Sequence, residues 1–250
     1  MTERNAHGLP LYIAPSFEGL AVEGIDLDQA KSAILLNSDT EAILYGADFS
    51  PTRIRYIPGS RPKLEEIAAR LRGGAPRESA EAVLWWILDN IRHPYFSVFV
   101  PKNRAITEEE IIESGVGWCN EQARALIALC EVMEIPGRMC FLSHKNGKCG
   151  HATAEVYLDG KWAWFDVTFG VRVELPDGKL ATAGELSNTY RDLASKAYRP
   201  VLERREALYM PFIEDESGWR TGERVTPDAG GDLLHVIGIC NYIIDGVEVI

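Results

Sequence analysis

Apolar positions recur along this chain at two different periods, and the change of period marks its organisation. Over residues 79–92, Ala80, Val83, Leu84, Ile87, Leu88 and Ile91 return at helical spacing, which predicts an amphipathic helix ended by Pro94. Thr107 and Glu110 have the spacing of a capping box and open a short helix that Ser114-Gly115 closes. Over residues 119–133 the stripe Ala123, Leu126, Ile127, Cys130 and Met133 predicts a further helix. Pro136-Gly137 lies just past its end, and Cys119 falls on the stripe at its first turn.

After that turn the period shortens to two. Residues 138–144 alternate as a strand, and residues 145–148 form a polar loop. Residues 151–158 and 161–168 then read as a hairpin, because Asp159-Gly160 between alternating runs favours a two-residue type I′ turn. If Leu158 opposes Lys161, opposed positions sum to 319 (158 + 161), so His151 faces Thr168 and Thr153 faces Asp166. Alternation then puts His151, Thr153, Glu155, Trp164, Asp166 and Thr168 on one face, with Asp166 diagonal to His151. Elsewhere the pattern is weaker. Residues 41–48 and 52–57 read as short strands, 187–197 as helical, and 233–250 as an apolar segment with a turn at Asp245-Gly246.

Composition narrows the class. A chain of 250 residues is long enough to bury a substantial core without staples. With 26 Lys+Arg against 37 Asp+Glu, a net charge of −11 and no basic run argue against nucleic acid as a partner. No window reaches the length of an apolar membrane span, and Met1-Thr-Glu-Arg-Asn has no basic stretch followed by an apolar one, so the expected location is the cytoplasm and no membrane contact is expected. The 5 cysteines, at positions 119, 130, 140, 149 and 240, contain no Cys-x-x-Cys pair, so neither a closed metal site nor a cofactor is expected. Cys130, Cys140 and Cys240 read as small core hydrophobes, Cys149 as loop packing near His151, and His93, His144 and His235 as locally satisfied histidines. Glu108-Glu-Glu110 reads as a charged first turn of a helix rather than a calcium site.

One constellation carries chemistry: Cys119 at a helix N-terminus, His151 on a strand 32 residues later, and Asp166 on the partner strand 15 residues after that. A thiol reacts as the thiolate, which the first turn of a helix and a nearby imidazolium both favour. A histidine can act as acid toward a leaving group and base toward the next nucleophile, provided a third group fixes its tautomer and orientation. Asp166 can do so from the adjacent strand. The backbone N–H of Cys119 is the expected oxyanion donor; spacing alone does not identify a second.

These residues resemble the transglutaminase-like superfamily, whose fold is related to papain-type cysteine proteases. The resemblance runs over residues 80–170, through Trp86-Ile-Leu-Asp-Asn-Ile91, Glu113-Ser-Gly-Val-Gly-Trp-Cys119, Ala128-Leu-Cys-Glu-Val-Met-Glu-Ile-Pro-Gly-Arg138, His151-Ala-Thr-Ala-Glu-Val-Tyr157 and Trp164-Phe-Asp-Val-Thr168. It implies an α+β, papain-like core with the nucleophile helix packed on an antiparallel sheet. It also implies the roles of nucleophile, base and orienting residue for Cys119, His151 and Asp166. Because members often supply an oxyanion donor from upstream of the nucleophile, Trp85, Trp86 and Tyr95 become candidates, and Trp118 is expected to flank the cleft. The chain departs from the family pattern where Thr153 stands for a common Trp, Val167 for a common Pro, and Gly137 for a common Ala. Thr153 is expected to alter the rim of the site.

The expected layout is an N-terminal region over residues 1–75 packed on the core, a catalytic core over 76–175, and a C-terminal extension of the same domain over 176–250. The expected activity is thiol-dependent acyl transfer on a peptide, protein or small amide through a thioester. Hydrolysis by a peptidase or amidase comes first, since no acceptor-binding motif is recognisable. Amine-accepting transfer uses the same residues, and a binding module that has kept the fold is the alternative of another class.

Overall fold

The hairpin at Asp159-Gly160 lies in the middle of the main sheet. The computed structural model describes residues 32–94, 106–143, 150–190, 192–194, 196–198, 200 and 235–250. Strand β2 (Gly137–Ser143) leads to β3 (Gly150–Leu158), β3 turns into β4 (Lys161–Asp166), and β5 (Val171–Arg172) and β6 (His235–Asn241) form the edges of a five-stranded antiparallel sheet in the order β5-β4-β3-β2-β6. Leu158 opposes Lys161 and the register holds back to Ala154 opposite Phe165, each pair on the same sum. Both turn residues have positive φ, 52° at Asp159 and 81° at Gly160, as a type I′ turn requires. Beyond Ala154 and Phe165 the two strands separate, because β4 ends at Asp166 and pairs there with Val171 of β5.

Alternation divides the sheet residues between two layers. Met139, Phe141, Ala152, Ala154, Val156, Ala163 and Phe165 belong to one hydrophobic core with the helices α2 (Pro62–Leu71), α3 (Pro76–Asn90), α4 (Glu108–Ser114) and α5 (Cys119–Val132). Helix α5 lies directly against β3 and β2. Cys140, Leu142 and Trp164 belong to a second core with α1 (Glu41–Leu44), α6 (Ala183–Asn188), Ile34, Ala194 and Tyr198. The architecture is α+β, with α5 packed on the antiparallel sheet as expected.

The helices begin where their sequences allow. In α4 the Thr107 hydroxyl accepts from the Glu110 N–H while the Glu110 carboxylate accepts from the Thr107 N–H, and Gly115 closes the helix at φ 64°. Helix α3 starts three residues earlier than the periodicity indicates, with Pro76 supplying a first-turn residue whose missing N–H costs nothing there. Helix α5 is enclosed on every side, its polar Asn120, Glu121, Gln122, Arg124 and Glu131 included, so a single apolar stripe understates its burial.

Two expectations for the N-terminal part change. Residues 41–44 are a short helix, not a strand: Ile43, Leu44 and Tyr45 donate N–H to Thr40 and Glu41 carbonyls, local bonds that a strand would not make. Residues 54–56, within the expected strand 52–57, are strand β1, and it pairs with β7 (Val247–Val249) beyond the Asp245-Gly246 turn in a separate two-stranded sheet. The helical stretch expected at 187–197 is divided between α6, which starts earlier at Ala183 behind a Thr182 capping box, and helical residues at 192–194 and 196–198. The Glu108–Glu110 run does more than charge a first turn: Glu108 is buried between Arg61, Arg124 and Tyr242, and Glu109 also pairs with Arg61. No helix among the described residues is long and apolar enough to cross a membrane. Residues 144–149, with His144, the expected loop and Cys149, lie outside the described residues, as do Tyr95 and the side chain of His235.

Candidate active site

Cys119 is the first residue of α5, and the segment that delivers it is tied down on both sides. Arg92, just past α3, donates its N–H to the Gly115 carbonyl at 2.8 Å and accepts from Gly117 N–H at 3.0 Å. The Glu121 carboxylate then accepts the Trp118 N–H at 2.7 Å, closing the helix start without a Ser or Thr cap. One turn on, Gln122 donates from Nε2 to the Ile91 carbonyl and accepts from the Thr168 hydroxyl, both at 2.7 Å, so one amide links α3, α5 and the turn after β4.

The helix covers the Ala152 face of β3, while alternation sends His151 toward the other face. Cys119 and His151 therefore come together where β3 begins, past the last β3–β4 pair. With β4 no longer alongside, the Ala152 N–H is donated to Cys119 Sγ at 3.4 Å. His151 Nε2 lies 2.9 Å from Asp166 Oδ2, which leaves Nδ1 as the ring nitrogen for the sulfur. Burial alone would depress the imidazole; the Asp166 carboxylate and a hydrogen bond with Cys119 outweigh it and raise His151 to about 10. The histidine is thus charged across neutral pH.

Asp166 is fully buried and held by more than His151. Its Oδ1 accepts the Phe169 N–H at 3.2 Å, and its Oδ2 accepts the hydroxyl of Tyr198. Gly170 completes this turn at φ 65°, and a Cβ there would lie 2.8 Å from Leu88 Cδ2 and 3.1 Å from Trp85, so both conformation and close packing demand glycine. The Phe169 ring meets His151 edge-on, with centroids 5.5 Å apart. Neither Phe169 nor Tyr198 carries a signal in the sequence periodicity. The Asp-x-x-Phe spacing is compatible with an Asx-type bond, but Tyr198 is 32 residues from its partner in a segment without a sharp pattern.

The remaining candidates are distributed as follows. Trp118 is buried beside Cys119, with its ring edge-on to His93 at 5.3 Å. Trp85 is 44% exposed, lies against Gly170 and carries Arg172 over its ring at 5.9 Å. Trp86 packs at the margin of the helical core. Among the described residues, no hydrogen bond from either indole reaches the site. Thr153 corrects an expectation: it is not at the rim but wholly buried, accepting the Trp164 indole N–H at 2.9 Å and donating to the Cys140 carbonyl at 3.3 Å. Its position on the strand turns it under Trp164, away from any cleft. Burial pushes the Cys130 and Cys140 thiols well up, in keeping with their place in the core. Among the described residues, no cluster of three or more His, Cys, Asp or Glu side chains is placed to hold a metal ion.

Comparison with known proteins places this arrangement. Residues 65–167 match the Transglutaminase-like superfamily. Among solved structures, the chain is similar to a candidate cysteine protease from Cytophaga hutchinsonii, at 23% identity and a TM-score of 0.38, over 64% of this chain and 48% of that one. A candidate protease from Parabacteroides distasonis matches at 15% identity and a TM-score of 0.35, over 48% of this chain and 27% of that one. A TGase matches at 18% identity and 0.33, over 43% and 30%. The chain therefore spans about half the length of the first of these and under a third of the other two. A search among curated proteins gives no match. The matched segment, which carries Cys119, His151 and Asp166, is similar to the transglutaminase-like superfamily.

Proposed function

We propose that this protein is a cysteine-dependent acyl-transfer enzyme that opens an amide or peptide bond. The observation that carries the reading is that Cys119 Sγ accepts the N–H of Ala152, the residue after His151, at 3.4 Å while His151 Nε2 lies 2.9 Å from Asp166 Oδ2. Cys119 Sγ attacks the carbonyl carbon, and the backbone N–H of Cys119 meets the developing oxyanion. The C–N bond breaks as His151 gives its proton to the departing amine, which leaves a thioester on Cys119. A water then loses a proton to His151 and attacks the thioester. The acid departs, and thiolate and imidazolium are restored. Substrates are peptides, proteins or small amides, and residues outside the matched segment shape the choice among them.

The test is competitive alkylation. Limiting iodoacetamide at about pH 6, where an ordinary thiol is mostly protonated, should modify Cys119 before any other cysteine, read by peptide mapping. Uniform labelling of several cysteines, or sparing of Cys119, overturns the proposal. Trapping the acyl-enzyme and letting it partition between water and a primary amine then separates the two acyl-transfer outcomes. A product distribution dominated by the amide would replace hydrolysis with transfer.

A further inference from the structure

The Asp166 carboxylate lies in a fully buried place and has a donor that the three-residue scheme does not use. Oδ2 receives both His151 Nε2 and the Tyr198 hydroxyl, while Oδ1 receives the Phe169 N–H. Three donors, two on Oδ2 and one on Oδ1, leave the carboxyl plane little freedom to rotate. Tyr198 is itself 1% exposed, with its ring edge-on to Trp164 at 6.1 Å and to Phe169 at 5.7 Å. Phe169 in turn lies edge-on to His151. Burial first, and the Asp166 charge second, push the Tyr198 phenol well up, so it stays protonated and acts as a donor.

We propose that Tyr198, from the C-terminal extension, is a positioning residue for the His151–Asp166 pair: its hydroxyl fixes the carboxylate at the angle where Oδ2 meets Nε2, and its ring fixes Phe169 against the imidazole. The inference rests on the reading of Cys119, His151 and Asp166 as an acyl-transfer triad. It gives residues beyond the family match a part in the site, through a residue that touches neither sulfur nor substrate. Without the hydroxyl, Oδ2 keeps one donor, the carboxyl plane is freer to turn, and the imidazolium loses part of its stabilisation.

The experiment is the titration of the His151 imidazole followed by NMR in the full chain, assigned with His151→Gln, in wild type, Tyr198→Phe and Leu186→Ala. Tyr198→Phe keeps the ring and removes only the O–H. Its midpoint should fall by about one pH unit, a tenfold change in the proton equilibrium. Leu186→Ala destabilises the same core without touching the carboxylate, and its midpoint should match wild type. A Tyr198→Phe midpoint equal to wild type, with Cys119 still the first thiol alkylated, overturns the Tyr198 assignment and spares the triad. A wild-type His151 midpoint at its ordinary value, together with uniform cysteine labelling, overturns both. If Tyr198→Phe does not fold, the wild-type Tyr198 hydroxyl proton supplies the reading: it should resonate downfield and shift through the same pH range as His151, and independence of that titration overturns the proposal.

Discussion

The two faces of the sheet are built on different principles. The helical face is apolar, with Met139, Phe141, Ala152, Ala154, Val156, Ala163 and Phe165 of the sheet in one core with the helices, α5 lying directly on β3 and β2. The far face is polar and interlocked. Arg138 and Glu155, both fully buried, form a two-nitrogen ion pair. The guanidinium also donates to the Leu44 carbonyl and Ser50, and lies 4.1 Å from the Trp162 ring centroid. Glu155 Oε1 accepts from Tyr45 and from the Ala183 N–H. Thus the start of the Cys119 helix is held by apolar packing together with the local Glu121 and Gln122 hydrogen bonds, and the far face by hydrogen bonds whose donors come from distant parts of the chain. The site lies at the seam between them.

The largest expected effect tests that seam. Cys119→Ala on one face and Asp166→Asn on the other should each lower turnover of an amide substrate by about 10⁴-fold while leaving the fold intact, and the double variant should lose little more. Turnover measured beside circular dichroism checks this, and additive losses would mean that the two faces do not work as one device.

Next in size is the far-face ion pair. Arg138→Met removes the ion-pair partner of buried Glu155, so urea unfolding should show a loss of about 3–5 kcal/mol. Adding Glu155→Leu should recover much of it, since the pair is costly chiefly when broken. A similar loss from both variants would mean that packing, not charge, holds α1 and α6 to the sheet.

Among the buried polar side chains of α5 is Glu131, whose Oε2 accepts the Ile244 N–H at 3.0 Å while buried Oε1 has no hydrogen-bond partner. Burial, against the opposing Ile244 hydrogen bond and with a smaller contribution from Glu108, raises this carboxyl from 4.5 to about 8. The native chain then binds the proton more tightly than the unfolded one. The stabilising contribution is complete below about pH 4.5 and is lost as pH rises through about 8. Glu131→Gln should flatten the stability curve over that interval by an amount on the order of a few kcal/mol, read as unfolding free energy against pH. His151, raised from 6.5 to about 10, gives a loss of the same sign at higher pH, so the Gln variant should still weaken above neutrality.

The smallest effect probes closeness of packing. A Cβ on Gly137 would lie 2.7 Å from Ile127 Cγ2, which accounts for glycine at this position. Gly137→Ala should cost about 1–3 kcal/mol. Ile127→Ala on that background should cost less than it does alone, because the space it opens is used; denaturant melts of the four chains check the coupling.

This contrast also accounts for what could be read from sequence. Local devices were legible: the Thr107–Glu110 box, the Gly115 stop, and the Asp159-Gly160 turn, from which counting gave the register of β3 against β4. They depend on near neighbours. The far face was not legible, because its parts meet across long separations: Arg138 finds Leu44 and Ser50, Glu155 finds Tyr45 and Ala183, and Asp166 finds Tyr198. Helix α1 was misread because four residues are too few to distinguish period 3.6 from period 2. Helix α2 was missed although Pro62 starts it and Leu64, Ile67 and Ala68 are its buried positions. Thr153 was placed on the correct face but assigned to an open edge, since alternation gives the face and not what covers it.

Because every residue of α5 is buried, Cys119 is carried by an element that solvent reaches late. Beyond its first turn, the amides of α5 should exchange with deuterium only when the whole domain opens, whereas those near Trp85 and Asn90, at the outer side of α3, exchange through local fraying. Loss of the site and loss of the fold then become one event on the exchange timescale: a population that has lost α5 protection has lost the Cys119 site as well.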